Sequence, residues 1–156
     1  QMRALYEHDK IKVMVNISHG EGFGLPLFEA ARSGLPIIAT GWSGQIDFLR
    51  HDGKDYFLNV THELKNVQPE VVWENVIDAN SQWAYADQGS YKMNLRKMYK
   101  KHRKFLEQAG ELQSIINAKF NNEVLYELFV SNIIDEPEMV DWMSWQEDQQ
   151  EAQDFD

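Results

Sequence analysis

At 156 residues, 43% of them hydrophobic, the chain is one domain-sized unit able to bury a core, with no apolar run long enough to span a bilayer and no signal-peptide pattern. It contains no cysteine, which excludes disulfides and thiolate metal sites and is compatible with a reducing, cytoplasmic setting. The net charge of −10 sits almost wholly in residues 135–156, which hold nine acids and no Lys or Arg; taking those nine from 25 leaves 16 acids against 15 bases, a balance that implies no nucleic-acid partner.

In chain order, residues 2–8 read as the end of a helix, with Leu5 and Tyr6 as its apolar side. Residues 12–18 carry Val13, Met14, Val15 and Ile17 in a short apolar run, which suits a strand buried on both faces of a parallel sheet. Gly20, Gly22 and Gly24 then open a loop whose backbone can approach a ligand closely. Pro26 stands where a first helical residue would be, Leu27–Ser33 continue the helix, and Gly34 and Pro36 stop it. Ile37–Thr40 is the next buried strand, so residues 12–43 form one βαβ unit.

Beyond it, Gly41–Gly44 is a turn, Gln45–Arg50 a helical turn and His51–Asp55 a second turn. Tyr56–Val60 is a third strand candidate. Thr61–Asn80 is weakly patterned, with Pro69 opening either a short helix or an extended piece. Ser90–Ala109 is the clearest helix: Tyr91, Leu95, Met98, His102, Phe105 and Ala109 recur at offsets of four and three. Seven Lys and Arg between 92 and 104, with no acid among them, make its other face basic. Such a face is either a solvated surface or a contact with an anionic membrane surface or acidic carrier. His102 falls on the apolar stripe and reads as packed; His8, His19, His51 and His62 show no ligand spacing. Gly110 breaks or kinks the helix, Leu112–Phe120 resume it, and a last helix spans residues 123–133 after an Asn121–Asn122 cap. The acidic tail at 135–156 keeps Met139, Trp142, Trp145 and Phe155 among its acids, a composition that fits either a segment that docks on a partner or a loose helix packed on its own domain.

The chemistry concentrates at the loop that opens the first helix. A helix N-terminus presents unpaired N–H groups and favours phosphate. Glu21 and Glu29 bracket it, and carboxylates are good acceptors for hydroxyls. A ligand anionic in its middle and polyhydroxylated at both ends satisfies these features, which is the layout of a nucleotide-sugar.

The run from Glu21-Gly22-Phe23-Gly24-Leu25-Pro26-Leu27-Phe28-Glu29 to Thr40 closely resembles the E-x7-E signature of group 1 glycosyltransferases, retaining enzymes of the GT-B fold. The resemblance implies that Glu21 holds the hydroxyls of the transferred sugar and serves the catalytic site. It implies that Gly22, Phe23, Gly24 and Leu25 meet sugar and diphosphate through their backbone, and that Glu29 grips the ribose. Trp42–Gly44 would border the pocket, or Trp42 would instead pack over the sheet edge. Residues 82–87 are similar to the family's W-A-x-P-D element, with Ala86 where proline is usual.

The fold expected is α/β: a partial Rossmann-like parallel sheet with flanking and C-terminal helices. Residues 1–134 form an N-terminally incomplete nucleotide-sugar-binding domain, and residues 135–156 the tail. The resemblance implies sugar transfer from a nucleoside diphosphate to a hydroxyl acceptor, without metal or other cofactor. It also implies a separate N-terminal acceptor-binding domain and a diphosphate-clamping Arg/Lys pair upstream. Phe129 or Tyr126 would face that domain. The competing reading is a non-catalytic nucleotide-sugar-binding or assembly module; a GT-B-fold epimerase fits the motif less well.

Overall fold

The computed structural model describes residues 2–133, so the acidic tail lies outside the described residues. The chain divides into two compact units, residues 1–116 and 117–156. The first opens with helix α1 (Met2–Tyr6) and strand β1 (Met14–Asn16), followed by α2 (Leu25–Arg32) and β2 (Ile37–Thr40). Next come the short helix α3 (Ile46–Leu49), the strand pair β3 (Arg50–His51) and β4 (Lys54–Asp55), and β5 (Leu58–Val60). A two-stranded hairpin of β6 (His62–Asn66) and β7 (Gln82–Ala86) precedes the long helices α4 (Gln88–Lys100) and α5 (His102–Lys119). The second unit contains α6 (Asn122–Ser131).

Strands β1, β2 and β5 make a three-stranded parallel sheet in that order, with Val15 opposite Ile38 and Ile38 opposite Leu58. This is the α/β, Rossmann-like arrangement that the βαβ pattern predicts. Alternation along the strands sends Ile38, Leu58 and Val60 to one face, where Met98 of α4 and Phe105 of α5 complete a buried cluster. Ile37 and Ala39 point the other way, to the face on which α2 lies against β1 and β2 with Leu27, Ala30 and Ala31 buried.

The helical face read from sequence is the one that packs. Met98, Phe105, Ala109, Leu112 and Ile116 are buried, whereas Tyr99 and Leu106 beside them are exposed. Buried side-chain amides and hydroxyls fix α4 to the sheet end: Asn94 donates to the Asn59 carbonyl at 2.8 Å, and Ser90 Oγ accepts from Thr61 N–H at 3.1 Å. Further along, Gln108 donates to the Asp55 carbonyl and Gln113 to that of Arg32. His102 is half-buried, and its Nε2 meets the Lys12 carbonyl at 2.9 Å. The basic residues of this stretch face solvent. Among the described residues Arg103 pairs with Glu107, and Lys97 stands over the Phe105 ring.

Three expectations need correction. The weakly patterned segment 61–80 and the expected helix lead-in at 82–87 together form the β6–β7 hairpin, with His62 opposite Ala86 and Asn66 opposite Gln82. Its strands escape a pattern reading because β6 is exposed along Glu63–Asn66, so no apolar alternation marks it. Pro69–Val71 is a 3-10 turn within the connection, and Asp87 does introduce the helix, its carboxylate accepting from Ser90 N–H at 2.6 Å. The turn at 51–55 becomes a tight β3–β4 hairpin, with Asp52 and Gly53 at φ 50° and 74° as a two-residue hairpin turn requires. The long helix is interrupted at Lys101 (φ −126°, ψ 28°), not at Gly110, through which α5 runs unbroken. The Lys101 carbonyl nevertheless accepts from Lys104 N–H, so the chain re-enters the helix at once. In the second unit Asn121 caps α6 by accepting from Val124 N–H at 2.9 Å, and Tyr126, Leu128 and Phe129 are exposed.

A Cβ at Gly110 would meet nothing within 4 Å. Replacing a glycine inside a continuous helix by alanine removes a propensity penalty, so Gly110→Ala is expected to raise stability by about 0.8 kcal/mol. Equilibrium urea denaturation checks this; destabilisation would mean the helix needs a flexible point there.

Candidate functional site

The loop between β1 and α2 lies at the carboxyl end of the parallel sheet, where open α/β sheets take their ligands. Its shape is set by a second loop. Residues 41–44, after β2, are tied to Glu21 through three hydrogen bonds and lie close against Gly22. Gly44 N–H donates to the Glu21 carbonyl at 3.0 Å, Ser43 Oγ donates to the same carbonyl at 2.7 Å, and Glu21 N–H donates to Ser43 Oγ at 3.2 Å. The approach is close enough that a Cβ on Gly44 would run into the Gly22 carbonyl oxygen. Ser43 itself sits at φ 73° to present its hydroxyl.

Glu21 is half-buried and its carboxylate is held. Oε1 accepts from Asn16 Nδ2 at 2.9 Å and from Ser18 Oγ at 3.1 Å, while Asn16 Oδ1 in turn accepts from Ser18 N–H at 2.8 Å. Asn16 is the last residue of β1, so the strand itself aims this acid. Two donors on one oxygen leave Oε2 for other partners.

Gly24 then takes φ 85° and ψ 51° as the N-cap of α2, and no side chain caps the helix. The left-handed turn costs a non-glycine residue about 1–2 kcal/mol, and an added Cβ would also press on Gln45 Cβ at 3.3 Å. Gln45 is fully buried and donates from Nε2 to the Thr40 carbonyl at 3.1 Å, bracing the end of β2. Phe23 joins Phe28 and Phe48 in an aromatic trio with centroids 5.1–5.3 Å apart, which anchors the loop while its backbone stays at the helix entrance. Leu25 is exposed.

Glu29 lies on α2 one turn inside the helix and is exposed. The buried phenol of Tyr6, on α1, lies near it. Burial pushes the Tyr6 phenol above its ordinary range, and its interaction with the negatively charged Glu29 pushes it further.

The structure thus gathers Glu21, Gly22, Phe23 and Gly24 into one loop that Leu25 continues into α2, places Ser43 and Gly44 against it, and sets Glu29 one turn deeper near Tyr6. Several contributors carry no sequence signal. Asn16, Ser18 and Gln45 act through geometry alone. His19, without ligand spacing to any other histidine, is stacked on Trp83 of the hairpin at 4.9 Å and lies 4.6 Å from Tyr85. Trp42 meets His62, with ring centroids 5.9 Å apart. A cavity of about 290 Å³ opens at the hairpin base between Thr61, Lys65, Tyr85 and Gln88; no residue of the motif lines it. Among the described residues no group of three or more His, Asp or Glu is placed to hold a metal ion, and no helix is long and apolar enough to cross a membrane.

The α/β sheet thus fixes an acid in its first crossover loop, at the mouth of a helix. The comparison with family models agrees on the class: the model described as family 4 glycosyltransferase in conflict systems matches residues 4–123. The chain belongs to that glycosyltransferase family. Comparisons with curated proteins and with solved structures return no match.

Two measurements probe this geometry. Gly44→Ala is expected to cost about 1–3 kcal/mol in urea denaturation because the new methyl cannot be accommodated without moving Gly22. For Tyr6 the sign follows from the raised phenol pKa. Above about pH 10 the unfolded chain releases a proton that the folded chain retains, so stability falls as pH rises through the folded value. Tyr6→Phe is expected to flatten that alkaline limb, as read from melting temperatures between pH 8 and 11.

Proposed function

We propose that the chain is the donor-binding part of a retaining GT-B glycosyltransferase, one that moves a sugar from a nucleoside diphosphate to a hydroxyl acceptor. The observation that carries this reading is the Glu21 carboxylate, tied through Oε1 to Asn16 and Ser18 at the mouth of a helix that no side chain caps. A fixed acceptor beside free amides suits a ligand with hydroxyls at one end and phosphate next to them.

In this reading Glu21 orients the hydroxyls of the transferred sugar. The backbone of Gly22, Phe23, Gly24 and Leu25 lies along sugar and diphosphate. As the glycosidic bond breaks, negative charge builds on the departing diphosphate, and preorganised amide dipoles at the start of α2 stabilise it. Glu29, near Tyr6, accepts from the ribose diol. The cationic clamp on the diphosphate comes from an earlier βα loop of the same domain, and the acceptor is held by a separate N-terminal domain. A cytoplasmic setting accords with the absence of cysteine.

Thermal-shift measurements with UDP-, GDP- and ADP-sugars test the assignment. A donor present at 100 times its Kd stabilises the protein by about 2.7 kcal/mol, and the matching base identifies itself by the largest shift. Glu29→Ala is expected to lose most of that ligand-induced shift. The comparison uses the shift and not the absolute melting temperature, because the variant also loses the Glu29 charge beside Tyr6. A full shift retained by Glu29→Ala overturns the ribose assignment.

A further inference from the structure

His19 is held more tightly than a loop residue needs. Its Nδ1 lies 2.8 Å from the Ala84 carbonyl oxygen, and its own carbonyl accepts from Ala84 N–H at 3.1 Å. One ring face stacks on Trp83 with 14° between the planes, and Tyr85 lies against the ring at a tilt of 54°. A carbonyl can only accept, so Nδ1 carries the proton. Turning the ring over would replace Nδ1 by a carbon and lose the bond, so the orientation is fixed with the tautomer. In the neutral ring Nε2 is then a lone-pair acceptor, and among the described residues it has no protein partner. The residue is exposed and stands two positions before Glu21, at the carboxyl end of β1.

We propose that His19 is a specificity-determining residue of the donor site, its Nε2 accepting a hydrogen bond from a hydroxyl of the transferred sugar alongside Glu21. The proposal rests on the donor-site reading above. Its chemistry separates the two ends of that ligand. Nε2 and Glu21 Oε2 are both acceptors, and a diphosphate at neutral pH offers no hydrogen to either. A sugar hydroxyl offers one to each. The β6–β7 hairpin thereby acquires a role: Ala84, Trp83 and Tyr85 hold the imidazole for the sugar.

Titration calorimetry on the full chain, with each nucleoside-diphosphate sugar and the matching nucleoside diphosphate, tests it. The informative variant is His19→Asn, whose side-chain amide can still donate to the Ala84 carbonyl while nothing replaces Nε2. His19→Asn is expected to raise the Kd for the sugar donor roughly 3- to 10-fold, the range of one hydrogen bond, and to leave the Kd for the bare diphosphate unchanged. A second measurement needs no variant: the ¹⁵N resonance of His19 Nε2 in the wild-type protein shifts on adding the sugar donor and stays in place with the diphosphate. Unchanged sugar affinity in His19→Asn, an equal loss for both ligands, or a silent Nε2 resonance overturns the proposal and leaves His19 as a tie between loop and hairpin. Absence of any nucleotide-sugar binding by the wild-type chain instead overturns the donor reading, and this proposal with it.

Discussion

The lock between Glu21 and Ser43–Gly44, made by one main-chain bond and the Ser43 hydroxyl, is the constraint from which the site follows. Each loop alone is a flexible, glycine-bearing connection after a parallel strand. Joined by three hydrogen bonds, two of them converging on one carbonyl, they form a single rigid rim at the end of the sheet. The lock fixes the backbone of Glu21; Asn16 and Ser18 then fix its side chain, and the left-handed turn at Gly24 directs the chain into α2. Backbone position, acid orientation and helix entrance are thus set by one local assembly, with the buried Gln45 bracing it from beneath.

The sheet and the loop were legible in the sequence because both are written in local signals. Short apolar runs mark β1, β2 and β5, the glycines with Pro26 mark the loop and the start of α2, and a helical period marks the buried side of α4 and α5. What was not legible depends on distance in space. Asn16 and Ser18 are ordinary polar residues until the chain folds Glu21 back onto them. His19 and Ala84 are 65 positions apart and meet only when the hairpin folds over the loop. The hairpin itself is hidden because β6 is exposed and polar, so the feature that identifies a strand by its buried face is missing.

The helical misreading has a different origin. A glycine lowers helix propensity by about 1 kcal/mol, which is enough to suggest a break at Gly110. The Leu112 and Ile116 side chains, both buried, hold the helix through that point. The actual interruption at Lys101 falls in a run of good helix formers, and nothing in the local sequence explains it. Tertiary packing decides where the helix continues, and propensity decides only how much that continuity costs.

The glycines of the rim, alike in the sequence, are unequal in the folded chain. Gly22 has open space where a side chain would go and a backbone angle that any residue tolerates, whereas Gly44 meets main chain at once. Variation among related chains therefore has a permitted door at position 22 and a closed one at position 44. A bulkier residue entering at 22 would change the outer surface of the loop beside Glu21 without loosening the rim that holds the acid.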